Sequence, residues 1–256
     1  PSEEKVRPYA NSLMYLTSPR MRWLHKDGTA EGEFESLTGS AYLHPDAAKL
    51  LFAGASRSLD DIFADLAAEK VPTGFALEGT VNLKRESTTE DITSPNVAAV
   101  LPGSDPKLKD EYVVVTAHSD HIGFSNDVRS KDKINNGLMD NAAGVSIMLE
   151  TARLFTQQAE RPKRSILFVA VTGEEKGLLG SEWYANHPLF PLKNTVVDLN
   201  TDMTGRYDDE HKGKPDYIYE IGSDKLSSQL REVLIDQNKK HVGLELDFRF
   251  NDPNDP

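Results

Sequence analysis

Three apolar runs, two of them unbroken and one interrupted by Asp198, each ending in acidic or imidazole side chains, constrain this chain more than any other feature. Tyr112–Val113–Val114–Val115 leads into Ala117-His118-Ser119-Asp120-His121. Ile166–Leu167–Phe168–Val169–Ala170–Val171 leads into Thr172-Gly173-Glu174-Glu175, and Val196–Val197–Asp198–Leu199 leads into Asn200-Thr201-Asp202. Unbroken runs of this kind read as strands buried on both faces, the pattern of a parallel sheet. Open α/β sheets place ligand sites outside the carboxyl ends of their strands. Here three such ends deliver a histidine, a glutamate pair and an aspartate, and Asp140 opens the helical stretch DNAAGVSIMLE. Together they point to a metal site rather than to scattered surface charge.

From Glu111 onward, strand-like and helix-like segments alternate. The predicted elements are a strand at Tyr112–Thr116, a helix from Asp140 to about Gln158, a strand at Ser165–Val171 and a helix over GLLGSEWYANH. Strands at Val196–Met203 and Tyr217–Ile221 follow, and Leu244–Phe250 forms a last one. The first helix presents Val145, Met148, Leu149, Ala152 and Phe155 on one face. Ser223 is expected to cap a long helix over SDKLSSQLREVLIDQNKK, with Leu226, Leu230, Val233 and Leu234 as its apolar face. The fold class is therefore α/β, a mainly parallel central sheet flanked by helices.

Residues 1–92 differ from 93–256 and read as a separate, small, β-rich portion. It holds short extended pieces such as Ser40–Leu43 and two short helices, HPDAAKLLFAG and SLDDIFADLAAEK. Ser58 is placed to cap the second, with acids in its first turn. A strand near Asn96–Leu101 and the Pro/Gly-punctuated loop LPGSDPKLKDE connect to the alternating region, and NDPNDP reads as a turn-like tail.

The formal charge of -12 argues against nucleic acid as a partner, because polyphosphate needs a basic surface. With no cysteine, thiolate metal sites and disulfides are excluded. No stretch approaches the roughly 20 apolar residues of a membrane span, and PSEEKVRPYANS lacks the apolar core of a signal peptide.

Imidazole and carboxylate are suitable ligands for zinc, usually with about four per ion. Two ions ~3.5–4 Å apart need a bridge, and a carboxylate offers two oxygens. Asp140 suits the bridge, His118 and Asp202 one ion, and Glu175 the other. Asp120, two residues after His118, is placed to orient that imidazole through its second nitrogen. Glu174 is then free as a general base. Each piece alone has a bland reading: a chance HxD, a solvated helix start, an N-cap, a strand-end turn. Their ordered occurrence at element ends is what favours a site. His25, His44, His187, His211 and His241 sit in polar or turn-like contexts and read as surface residues. His121 adjoins the site and is left open.

AHSDHIG, MDNAAG, TGEEKGLLGS and NTDMTG, in that order, resemble the motifs of the co-catalytic zinc aminopeptidase family, relatives of bacterial leucyl aminopeptidases and glutamate carboxypeptidase. The likeness covers roughly residues 95–205. It implies a zinc exopeptidase-like fold, two zinc ions and a peptide substrate. His118 and Asp202 would bind one zinc, Asp140 would bridge, Glu175 would bind the second and Glu174 would be the base, with Asp120 behind His118. It also implies a cis peptide at Asp140–Asn141 and, as the location, export. SPRMRWLHKDG and SAYLHPDAAKLLFAG resemble part of a protease-associated domain. The family's second histidine ligand lies beyond the stretch where NDPNDP would begin, so the second ion is expected to lack a ligand from this chain. A missing segment or another chain would supply it.

The expected activity is aminopeptidase hydrolysis of N-terminal residues by metal-activated water. A carboxypeptidase of the same fold would need a basic pocket, for which Arg129 and Lys131 are candidates. Glutaminyl cyclases share the fold but use one zinc, and the intact HxD favours two. A receptor-like relative without catalysis would have lost ligands that are all present here.

Overall fold

The structure, a computed structural model, describes residues 8–16, 18–34, 36–125 and 130–251. The stretch PSEEKVR, Arg129 and the tail after Asn251 lie outside them. The chain divides into two units, Pro1–Thr93 and Ser94–Pro256.

The amino-terminal unit holds helices α1 (Tyr9–Leu16), α2 (Pro45–Leu51) and α3 (Leu59–Ala67). Ser58 caps α3 through a reciprocal capping box with Asp61, which satisfies two of the free amides at the helix start. The expected β-rich character is not found. Among the described residues this unit has only an isolated bridge, Leu24 to Ala30. Ser40–Leu43 forms no strand, pairs with none among the described residues, and leads through His44 into α2.

In the second unit, the sheet is built from β1 (Val97–Leu101), β2 (Tyr112–His118), β3 (Ser165–Val171) and β4 (Thr195–Asn200), in the order β1-β3-β2-β4. β2 pairs parallel with both β3 and β4, while β1 runs antiparallel along β3. The helices are α4 (Ala143–Gln157) and α5 (Leu179–Asn186). The expected α/β class with a mainly parallel sheet is thus what the chain forms.

Alternation along β3 explains the two-sided core. Leu167, Val169 and Val171 join Tyr112 and Val114 on one face, where Tyr184 of α5 and Phe190 pack. Ile166 and Phe168 join Ala117 and Met148 on the other, where Val145, Ala152 and Phe155 of α4 pack. Leu149 was expected on this face but is 62% exposed. At 3.6 residues per turn it lies about 80° round the helix from the centre of the buried face.

The remainder forms a smaller layer. β5 (Tyr217–Tyr219) pairs parallel with β6 (Glu245–Asp247), and α6 (Leu230–His241) connects them. The expected helix from Ser223 is shorter than its periodicity suggested. Ser223 is buried and its amide donates to Glu220, whereas the hydroxyl of Ser227 accepts the amides of Gln229 and Leu230 where α6 begins. Leu226 is fully exposed.

His211, expected at the surface, is buried here. Its Nδ1 faces Asp208 Oδ1 at 2.9 Å, its Nε2 faces Asp247 Oδ2 at 3.3 Å, and its ring stacks on Tyr217 at 3.6 Å between centroids. The polar context in the sequence concealed a buried imidazole flanked by two carboxylates. The hydrogen bond from the Tyr219 hydroxyl, then that from His211, lowers the Asp208 carboxyl to about 2.

Leu167→Ala should cost about 2–5 kcal/mol, the usual range for emptying a fully buried site, measured by equilibrium denaturation. The Asp208 network supplies a separate acid-side prediction. A carboxyl lowered on folding stabilises fully above its ordinary value of 3.8, and that contribution is lost as pH falls toward about 2. Asp208→Asn should remove this step, followed through the ring resonances of His211 during acid titration.

Candidate metal centre

Because β2, β3 and β4 are parallel, their carboxyl ends leave the sheet on one edge. His118 is the last residue of β2, still in register with Val171, and is 2% exposed. Its Nδ1 lies 3.0 Å from the backbone oxygen of Asp120. A proton on Nδ1 donates to that carbonyl and leaves the Nε2 lone pair facing outward. Nε2 faces Asp140 Oδ1 at 3.0 Å, Asp202 Oδ1 at 3.5 Å and Glu174 Oε2 at 4.0 Å. Asp140 opens the turn before α4, Glu174 and Glu175 follow β3, and Asp202 follows β4. The structure therefore brings together His118, Asp140, Glu174, Glu175 and Asp202.

Asp120 makes different contacts from those the sequence suggested. Its carboxylate is 3.8 Å from the His118 ring, which its own carbonyl engages instead. The carboxylate accepts the amide of Glu174 at 3.0 Å and that of Glu175 at 3.2 Å. It ties the loop after β2 to the turn after β3.

Asn141 does the same for the other pair of loops. It is 2% exposed, and the bond before it, Asp140–Asn141, is cis, as the resemblance implied. Its Nδ2 donates to the Thr201 carbonyl at 2.9 Å, and its Oδ1 accepts the amides of Gly144 at 3.0 Å and Met203 at 3.3 Å. Asp202 is held between two residues that Asn141 grips. The approach is so close that a Cβ on Gly144 would lie 2.3 Å from the Thr201 oxygen, so only glycine fits.

His121, left open by the sequence, lies inside the cluster. Its Nδ1 is 2.6 Å from Glu175 Oε1 and 3.9 Å from Asp140 Oδ2. Two overlapping groups thus have ligand-type atoms all within 4.8 Å of one another: His118, Asp140, Asp202 and His121, Asp140, Glu175. Lys131 is exposed. Asn141 and His121 were missed as site residues because one reads as an ordinary helix cap and the other as a loop histidine. The signal that existed was their adjacency to Asp140 and to the HxD motif.

The electrostatics reflect this crowding. Burial alone would lower the His118 imidazole, but the charges of Asp202 and Glu174, the Asp120 carbonyl and Asp140 outweigh it, and the net shift is upward. Burial pushes the Glu174 carboxyl up. His118 opposes this, and Glu175, Asp202 and Asp120 add to it. His118 Nε2, His121 Nδ1 and Glu175 Oε1 are buried without hydrogen-bond partners. Each such orphan costs roughly 1–3 kcal/mol. A divalent cation would satisfy the imidazole lone pairs and the carboxylates together. The residues present fit such an ion.

Residues 96–250 match Peptidase family M28. The chain belongs to this family. Its motifs AHSDHIG, MDNAAG, TGEEKGLLGS and NTDMTG all fall within the matched M28 region. Among M28-like relatives, the chain is 33% identical over 167 residues to "Aminopeptidase YwaD" of Bacillus subtilis, covering 59% of this chain and 33% of that protein. It is 34% identical over 156 residues to a "Probable zinc metalloprotease" of Pyricularia oryzae, covering 59% and 30%. It is also similar to the solved structure of BSAP, a zinc aminopeptidase from Bacillus subtilis, at 30% identity and a TM-score of 0.47, over 59% of this chain and 33% of that one. The chain spans about a third of the length of these relatives.

If Asn141 holds the loops of the M28 centre in place, Asn141→Ala should weaken metal binding about 10–100-fold while every direct ligand candidate remains. Calorimetric titration with zinc, alongside far-ultraviolet circular dichroism to confirm folding, checks this.

Proposed function

We propose that this chain carries the catalytic residues of a zinc-dependent aminopeptidase that hydrolyses N-terminal residues of peptides. The observation that carries this reading is the disposition of Asp140: Oδ1 faces His118 and Oδ2 faces His121, so one carboxylate spans both groups of ligand atoms. That is the role of a bridge between two ions. His118, Asp140 and Asp202 would hold one zinc, and Asp140 and Glu175 the second. When bound, zinc supplies Lewis acidity toward a carbonyl and lowers the pKa of water toward ~7.

The chain's own groups supply the rest. Glu174 stands 4.0 Å from His118 Nε2, beside the first group without being needed as a ligand. Burial raises its carboxyl above the ordinary range, which strengthens its hold on a proton taken from water. The same carboxyl then returns that proton to the leaving amine. Asp120 keeps Glu174 and Glu175 at fixed positions through their amides. The surrounding carboxylates favour the ammonium group at a peptide's amino terminus.

The likeness of SPRMRWLHKDG and SAYLHPDAAKLLFAG to a protease-associated domain supports reading residues 1–92 as part of one, ahead of a peptidase unit at 93–256. Among the described residues no helix is long and apolar enough to cross a membrane. The family likeness supports export.

Glu174 and Glu175 are neighbours with different assigned roles, and substitution separates them. Glu174→Gln should keep its zinc and lose turnover of aminoacyl substrates by about 100–10,000-fold. Glu175→Gln should loosen one zinc, because a neutral amide is a poorer ligand. Zinc stoichiometry with peptide hydrolysis reads both; the opposite pattern reverses the roles, and two active variants place the site elsewhere.

A further inference from the structure

We infer that His121 is a metal ligand, binding through Nδ1 and completing with Asp140 and Glu175 the second ion position. This rests on the proposed zinc centre and adds a histidine from within this chain to it.

The geometry at His121 leads to this role. Its Nδ1 and the Glu175 Oε1 are both buried and both without a hydrogen-bond partner, yet they are only 2.6 Å apart. A hydrogen bond would need the imidazole N–H to point along that line, and the contact does not meet this requirement. A lone pair on Nδ1 turned toward the Glu175 carboxylate would repel it at this distance unless a positive centre lay near both. Asp140 Oδ2, at 3.9 Å from Nδ1, is the third atom turned toward the same place. A metal-bound imidazole presents a neutral nitrogen and a carboxylate an anionic oxygen, so one cation resolves the contact and satisfies the orphaned atoms.

The loop is built to hold the ring there. Gly137, at φ 66°, packs against His121 so tightly that a Cβ would lie 3.0 Å from the histidine Cβ and 3.2 Å from its Cγ. The same loop is closed on itself: Asn135 donates to the Gly123 carbonyl through its amide and its Nδ2, both at 2.9 Å, and Phe124 bridges Ile134. His118 and His121 are three residues apart, but the end of β2 intervenes. One imidazole is therefore anchored in the sheet and the other in the loop, on opposite oxygens of Asp140.

The test is metal binding by this chain, read without turnover. Cobalt(II) is titrated into the parent, His121→Ala, His121→Gln and Gly137→Ala, with stoichiometry read from d–d absorption and folding from circular dichroism. In parallel, zinc is added to 15N-histidine-labelled parent, and the imidazole nitrogens are followed by NMR. The parent should take up two equivalents, with Nδ1 of His121 and Nε2 of His118 shifting. Both His121 variants should keep one equivalent and lose the second at concentrations that fill both positions in the parent. Gly137→Ala, whose Cβ would press on His121 and on the Asp140 carbonyl, should weaken the second equivalent more than the first. Two equivalents of unchanged affinity in folded His121→Ala overturn the assignment, as does a zinc-loaded parent whose His121 Nδ1 does not shift. A parent that binds one equivalent overturns it and leaves the His118 position standing. A parent that binds none overturns the proposed zinc centre as well.

Discussion

Strands that run parallel all leave a sheet by the same edge, and β2 runs parallel to both of its neighbours. The constraint explains how residues 118, 174–175 and 202, far apart in sequence, come to face one another. It also explains why the β3 run is continuous: packing on both faces leaves that strand no polar side. β1 extends the sheet antiparallel to β3, so it adds a strand without adding a ligand at that edge. The site is thus a by-product of strand direction, and its precision comes from the loops.

Those loops converge on a concentration of negative charge that the protein interior alone would not tolerate. Asp120 and Asn141 limit the freedom of the loops to spread apart. Each uses one side chain to bind backbone from two places, with Asp120 joining the β2 and β3 exits and Asn141 the α4 entry and the β4 exit. Backbone groups are good partners for this purpose, because amide and carbonyl positions survive changes in the side chains they carry. The acids can then be committed to chemistry rather than to holding the loops.

What the sequence made legible follows the reach of each signal. The limits of β3 were readable because its residues, all buried but Ala170, form one run with no polar alternation. The Ser58 capping box was readable because its partners are three residues apart. Ser40–Leu43 had strand-like residues but no neighbour to pair with, and pairing is not written locally. The helical period around Leu226 extended beyond the helix that forms, since apolar spacing does not require that a core be present to receive it. His211 was misread because its carboxylate partner Asp247 is thirty-six positions away and meets it only through the parallel β5–β6 pair. In the centre, His118, Glu174, Glu175 and Asp202 could be read from strand ends and Asp140 from a helix start. His121 and Asn141 could not, because their roles depend on which way a loop turns.

His118 differs from the other members of the centre in what holds it. It is the last rung of β2, paired in register with β3, whereas the acids sit on turns beyond any ladder. Its position is therefore as durable as the sheet and would outlast local opening of the loops. Capture and release of an ion then have a natural order. The imidazole would offer an ion a fixed first point of attachment, with the carboxylates closing on it afterward and departure running in reverse. The affinity of such a centre would then depend on how readily its turns open, and its rate of exchange would report on loop motion rather than on the stability of the fold.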